Sequence, residues 1–261
     1  MLETFEPERA DTARQLIEFD TKFSHIFSGK IGLGDSAAAG LTHEEFLRVF
    51  REGSGFTSGC GLHYEPSRLV RTPVEPQSNL PRTNDPLSGA LVPGRRLLNV
   101  EVKRYADAST RQMQDGTSYS FCCQRQGHKL TQTTELPSVG RYRIIVLASN
   151  DLLDKSGVSQ SSLVSCIKSM QQFPAGTVDL VVLHPLKTRF EWTDIPPDVK
   201  EAAEMRTYGC SRKEDAYEIY GVCKDEGLLA VVRPDGYVGT LAPLSDTEEV
   251  EAYLRSCLVL I

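Results

Sequence analysis

The sequence predicts a mixed α/β fold, and three observations predict it. Two apolar runs, RYRIIVLA at 141–148 and TVDLVVLH at 177–184, have the length and β-branched content of buried strands. Between them, Leu163, Val164, Ile167 and Met170 recur at helical spacing. Farther on, GLLAVVR at 227–233 and GYVGTLA at 236–242 are joined by Pro234-Asp235-Gly236, a hairpin signature between β-rich runs.

From the N-terminus, residues 5–28 read as a helix. Pro7 falls in its expected first turn, Ala10, Ala13, Leu16, Ile17, Phe23 and Phe27 recur at roughly helical spacing, and Gly29 stops it. A Gly/Ala-rich loop over 29–40 leads to Thr42 and Glu45, a T-x-x-E capping box that opens a second helix with Phe46, Val49 and Phe50 on one face. Residues 54–95 are rich in Gly and Pro, so sustained regular structure is not expected there. LLNVEVKR (97–104) and TSYSFCC (117–123) read as short strands, and 105–136 has the look of an insertion. Ser159 or a neighbouring Ser is the expected cap of a helix running to about 172, and Trp192, Asp194 and Pro196-Pro197 read as a packed surface loop.

Strand–helix–strand at this spacing implies a right-handed parallel crossover. Ser245 is the expected cap of a last helix that turns Val250, Tyr253 and Leu254 inward. The order β-α-β, then β-β-α, is the thioredoxin arrangement. The expectation is therefore a thioredoxin-like mixed sheet with an N-terminal helical and irregular extension. The expected division is 1–55 helical, 56–96 irregular linker and 97–261 thioredoxin-like.

The 261 residues carry a formal net charge of −6 and no basic run, which argues against a phosphate-backbone partner. No apolar stretch approaches the roughly 20 residues of a membrane helix. The N-terminus, with Glu3, Glu6 and Glu8, does not read as a secretory signal. Seven cysteines, at 60, 122, 123, 166, 210, 223 and 257, are odd in number and lack C-x-x-C spacing. Reduced thiols in a cytoplasm fit that pattern better than a disulfide framework or a zinc site.

Four stretches carry a family resemblance. FEPERADTARQLIEFDTKFSHIFSG (5–29) is similar to the closing helix of the flavin domain in phenol 2-monooxygenases. FTSGCGLHYEPSRLV (56–70) resembles the segment after it, LVPGRRLLNVEV (91–102) the entry into that family's C-terminal domain, and VVRPDGYVG (231–239) its terminal hairpin. The resemblance implies FAD and NADPH as the family's cofactors, hydroxylation of a phenol as its reaction, and a thioredoxin-like domain contributing to dimerisation. It also implies that this chain starts in the last helix of the flavin domain, without the family's flavin-binding strand–turn–helix, so that no cofactor is expected on this chain alone.

Several constellations invite chemistry. Gly32-Leu-Gly34-Asp-Ser-Ala37 mimics a dinucleotide fingerprint, but the segment before it is helical where the mechanism needs a strand. A redox-active thioredoxin places C-x-x-C after the first parallel strand; the matching SNDLLDKSG (149–157) has no cysteine. His25, His43, His63, His128 and His184 lack metal-ligand spacing, and no G-x-S-x-G is present. His63, Tyr64 and Arg71 could bind an anionic or phenolic ligand, or make surface hydrogen bonds. Arg95 and Arg96, after Pro93-Gly94, could grip a carboxylate or phenolate, or make an interdomain salt bridge. Asp235 is read as shaping its turn. No catalytic residue and no metal ligand is assigned.

Three functional readings remain open. One is the dimerisation module of a flavin aromatic hydroxylase, forming a homodimer or pairing with a flavin-domain chain. Another is a cofactor-free protein of a biosynthetic pathway that holds an aromatic or polyketide-like ligand. The third is one subunit of a split FAD-dependent aromatic monooxygenase. Neither nucleic acid nor membrane is an expected partner.

Overall fold

A computed structural model describes residues 2–27, 61–72, 89–108, 110–113, 140–185, 191–203 and 205–258. The Gly32–Ala37 stretch, the Thr42–Glu45 capping box, the 117–123 strand and Cys60, Cys122 and Cys123 lie outside them. Helix α1 spans Leu2–Phe27. Strands β1 (Glu101–Arg104) and β2 (Thr110–Gln112) follow, then β3 (Tyr142–Leu147), helix α2 (Val158–Met170) and β4 (Val178–His184). A 3-10 turn (Trp192–Asp194) leads to α3 (Pro197–Ala203), β5 (Thr207–Cys210) and α4 (Ala216–Tyr220). The chain closes with β6 (Leu228–Val232), β7 (Val238–Ala242) and α5 (Thr247–Cys257).

Among the described residues the strands form one sheet in the order β2-β1-β5-β4-β3-β6-β7. β3 and β4 run parallel, with Ile144 opposite Leu180 and Leu147 opposite Leu183, and β5 adds parallel to β4. β6 pairs antiparallel with β3 and β7 with β6, while β1 and β2 extend the far edge antiparallel. The four strands β4-β3-β6-β7, with α2 as the crossover and α5 after the hairpin, form the expected thioredoxin-like arrangement.

Both faces of the central strands are covered, which explains the unbroken apolar runs in the sequence. Side chains alternate between two cores, as the two-residue strand period requires. Ile145, Leu147, Val181, Leu183 and Ala230 face a layer that includes Leu97, Leu98, Tyr217 and Tyr220. Ile144, Val146, Leu180, Val182 and Val231 face α2, α3 and α5 through Leu163, Cys166, Val199, Tyr253 and Leu254.

Local details depart from expectation. Pro7 is the sixth residue of α1 and not in its first turn, because the helix begins at Leu2. Leu16 and Ile17 of α1 are exposed rather than inward-facing. Only 101–104 of the expected 97–104 strand is ladder-paired, and β2 lies in the stretch read as an insertion. Asp246, not Ser245, caps α5 by accepting from the Glu249 N–H. The stretch read as a surface loop holds the 3-10 turn and the start of α3, with Pro197 in the first helical position. No helix among the described residues is long and apolar enough to cross a membrane.

Candidate functional site

β7 is an edge strand, and its unpaired backbone groups need a partner. Residues 61–71 supply a strap there. The Arg71 N–H donates to the Gly239 carbonyl at 2.8 Å, and the Tyr64 N–H to the Gly94 carbonyl at 2.9 Å. Gly94 donates to Val238, and Val238 returns a bond to Arg95. The strap, the 94–97 segment and the hairpin are thereby stitched into one surface. Gly94 has φ +82°, and a Cβ there would overlap the Tyr64 carbonyl. Only glycine meets both demands, the positive φ and the close backbone approach.

Tyr64 is buried and packs against Tyr237 with the rings tilted by 50° and their centroids 4.6 Å apart. The Arg233 guanidinium lies 5.2 Å from the Tyr64 ring centre and 6.0 Å from that of Tyr237, and Arg96 lies 5.8 Å from Tyr237. These are cation–π distances. Arg233 is almost wholly buried, a placement that demands paired charge. Two carboxylates meet it. Glu8 of α1 accepts at 2.8 and 2.9 Å in a bidentate pair, and Asp235 accepts at 3.1 and 2.7 Å. Burial disfavours the Arg233 charge, but its hydrogen bonds and the charges of Glu8 and Asp235 outweigh that and raise its pKa. Burial also raises the Tyr237 hydroxyl pKa, so the phenol stays neutral near pH 7.

The residues singled out in the sequence thus fall on the strap (His63, Tyr64 and Arg71) and on the 94–97 segment bonded to it (Arg95 and Arg96). Tyr64, Arg95 and Arg96 gather around the hairpin at Tyr237. His63 is exposed and bridges to Arg95 through the backbone. Arg71 sits at the other end, 3.3 Å from Glu249 and 6.0 Å from the Tyr253 ring centre. Tyr253 in turn donates its hydroxyl to the Leu69 carbonyl at 2.8 Å. Sequence reasoning missed Arg233, Glu8 and Tyr237. A cation and an aromatic flanking Pro-Asp-Gly was the available signal for two of them. Asp235 holds Arg233 as well as shaping the turn.

A second locus lies at the carboxyl ends of β3 and β4, where a thioredoxin would carry its thiols. The N-cap residue of α2, Gly157, has no side chain to offer, and Ser159 does not cap the helix. Asp151, from the preceding loop, does so instead. Its carboxylate accepts from the Val158 N–H at 2.6 Å and the Ser159 N–H at 3.4 Å, and from the Ser149 hydroxyl. The Ser159 hydroxyl is used to accept from the Ser149 N–H at 2.9 Å. Burial opposes ionisation of Asp151, but these hydrogen bonds prevail and hold its carboxyl below the usual range.

Nearby, His184 at the end of β4 is buried, and burial lowers its pKa to about 4 against the pull of Asp151. Tyr217 ties the strand ends together by donating to the carbonyls of Ala148 and Leu183 at 2.6 and 2.9 Å. The thiol of Cys166, inside the core, is pushed up to about 12 by burial. A carboxylate therefore occupies the positive end of the α2 dipole, the position that elsewhere activates a thiolate.

That locus also fails to fit a flavin pyrophosphate. The N–H groups a phosphate would need are already bonded to Asp151, whose charge would repel it. Among the described residues, no group of three His, Cys, Asp or Glu side chains could hold a metal ion.

Comparison with known proteins connects these features. The family model for the phenol hydroxylase C-terminal dimerisation domain matches residues 117–260. Along 96% of its length the chain is 25% identical to phenol 2-monooxygenase fsqG of Aspergillus fumigatus. It is 27% identical over 98% of its length to 3-hydroxybenzoate 4-monooxygenase of Comamonas testosteroni, and 26% identical over 98% to the flavin-dependent oxygenase ucdD of Aspergillus ustus. The chain spans only 39%, 39% and 36% of those relatives' own lengths. Among solved structures, the thioredoxin domain of a Bacteroides vulgatus thiol-disulfide oxidoreductase aligns with 62% of this chain and 98% of its own, at 12% identity and a TM-score of 0.40. The family match runs from before β3 through α5 and takes in both the Asp151 locus and the β6–β7 hairpin, over more than half of the residues: this chain belongs to the phenol hydroxylase C-terminal dimerisation domain family.

Proposed function

We propose that this chain is the dimerisation and docking module of a flavin-dependent aromatic hydroxylase and performs no thiol–disulfide chemistry. Hydroxylation of a phenol, with FAD and NADPH, belongs in this reading to a flavin domain that this module joins, on the same polypeptide or on a partner chain. When bound there, the flavin supplies the oxygen-transfer chemistry; the module supplies position. The reading divides the chain into a helical segment (1–55), a linker (56–96) and the thioredoxin-like domain (97–261).

The observation that carries this reading is the Asp151 carboxylate on the first turn of α2. A thioredoxin-like sheet whose helix terminus is filled by a carboxylate keeps its packing geometry and loses its nucleophile. The strap is then held by a clamp: Arg233 over Tyr64 and Arg96 over Tyr237 fasten it at the hairpin, Arg71 over Tyr253 fastens it at α5, and the Glu8–Arg233 pair brings in α1.

The test pairs two measurements on one purified sample. Light scattering reads the mass in solution, and reduction of insulin disulfides by dithiothreitol reads exchange activity. A dimer that leaves the uncatalysed insulin rate unchanged is expected. Catalysed disulfide reduction, or a monomer at every concentration, contradicts the proposal.

A further inference from the structure

Within the matched family region, four large apolar side chains are exposed among the described residues: Leu153, Val158, Val164 and Met205. Three of them lie in the β3–α2 loop and the first half of α2. Val164 lines an open groove of about 600 Å³ between α2 and the start of α3, together with Lys155, Ser161, Pro196, Pro197 and Asp198. Val158 lies one helical turn before Ser161, and Leu153 lies two residues before Lys155. Val164, Pro196 and Pro197 give the groove an apolar lining, and exposed Val158 and Leu153 lie near its residues in sequence; exposed apolar side chains that occur together mark a contact surface.

The charges say what kind of partner fits. Lys155 stands on the β3–α2 loop and Asp198 in the first turn of α3, both exposed. Neither makes an ion pair with another described residue. An apolar groove carrying one uncommitted cation and one uncommitted anion is complementary to itself. That is the requirement of a two-fold interface, in which the same patch meets its own copy.

We infer that a second copy of this chain docks on this groove about a two-fold axis, with Lys155 of one protomer opposite Asp198 of the partner subunit. The inference rests on the dimerisation reading and deepens it by naming the face. The groove sits at the carboxyl-end edge of the parallel strands, beside the Asp151 locus, so the end of the sheet that carries thiols in a redox protein would serve here as the contact end.

The charge pair gives a test that a contact within one protomer cannot mimic. Lys155→Glu and Asp198→Lys are each expected to weaken self-association at least about tenfold, since each places like charges across the axis twice. Mixed in equal amounts, the two variants restore opposite charges at both positions, so heterodimers should form with close to wild-type affinity. Val164→Glu, at a partly exposed site that lines the groove, should weaken the dimer on the order of a hundredfold with an unchanged far-UV circular dichroism spectrum. Variants that all dimerise like wild type, or a mixture showing no preference for heterodimers, overturn the choice of face while the dimer stands. A wild-type chain that is monomeric throughout brings down the dimerisation reading itself. Binding of a separate flavin-domain chain that protects Val164 and dissociates the dimer overturns the second copy as occupant.

Discussion

Arg233 and Glu8 form a bidentate ion pair, at 2.8 and 2.9 Å, between residues 225 positions apart. The pair fastens the N-terminal helix to the turn of the β6–β7 hairpin. Its guanidinium also faces Tyr64 of the strap, so one side chain joins three segments that are distant in sequence.

Replacing Glu8 with Ala should therefore loosen α1 selectively. Asp235 still faces Arg233, which limits the penalty of the orphaned charge to about 2 kcal/mol, below that of a fully stripped buried pair. Hydrogen exchange over residues 2–27 should speed up while β3 and β6 keep their protection. Equal loss of protection in the central strands would show that α1 is not anchored by this pair.

Gly94→Ala tests the strap. The new methyl would meet the Tyr64 carbonyl at a backbone angle that L-residues rarely adopt. A loss of about 3 kcal/mol or more is expected, together with protease cleavage within 61–72 that the wild-type chain resists. An unaltered melt and digestion pattern would contradict the packing described.

Asp151→Ala removes the acceptor for two N–H groups at the start of α2. The expected cost is about 1–2 kcal/mol, typical of a lost helix cap, read as a drop of several degrees in Tm. Asp151→Asn, which keeps an acceptor oxygen, should lose less. Indifference of the melt to both changes would contradict the capping role.

His184 sets an acid limb. Its folded pKa is lowered from 6.5 to about 4, so the unfolded chain binds a proton that the folded chain refuses. The group's full contribution is present above pH 6.5 and drains away as pH falls toward 4, amounting to up to about 3 kcal/mol. Asp151, also lowered, adds a loss below the usual carboxylate range. His184→Gln should flatten the limb between these two pH values in a series of thermal melts; an unchanged limb would assign it to other groups.

Much of the sheet was legible in the sequence, and the reason is burial on both faces. Strands β3 and β4 carry apolar residues at almost every position because helices and loops cover both sides, and the turn at Pro234-Asp235-Gly236 fixes the hairpin locally. β5 was not legible: Thr207-Tyr208-Gly209-Cys210 is short and mixed, and becomes a strand only by lying between β4 and β1. The α2 cap was not legible because the carboxylate that supplies it, Asp151, reaches the helix start from seven residues upstream. The clamp was half legible. Tyr64, Arg71, Arg95 and Arg96 stood out by type, but Glu8 and Arg233 meet only through the tertiary fold.

The most direct measurement of the central claim is native mass spectrometry of unlabelled chain mixed with isotopically heavy chain. The account predicts signals near twice the 28.9 kDa chain mass, in light–light, light–heavy and heavy–heavy forms. Single-chain masses alone, at concentrations where specific dimers persist, would contradict it.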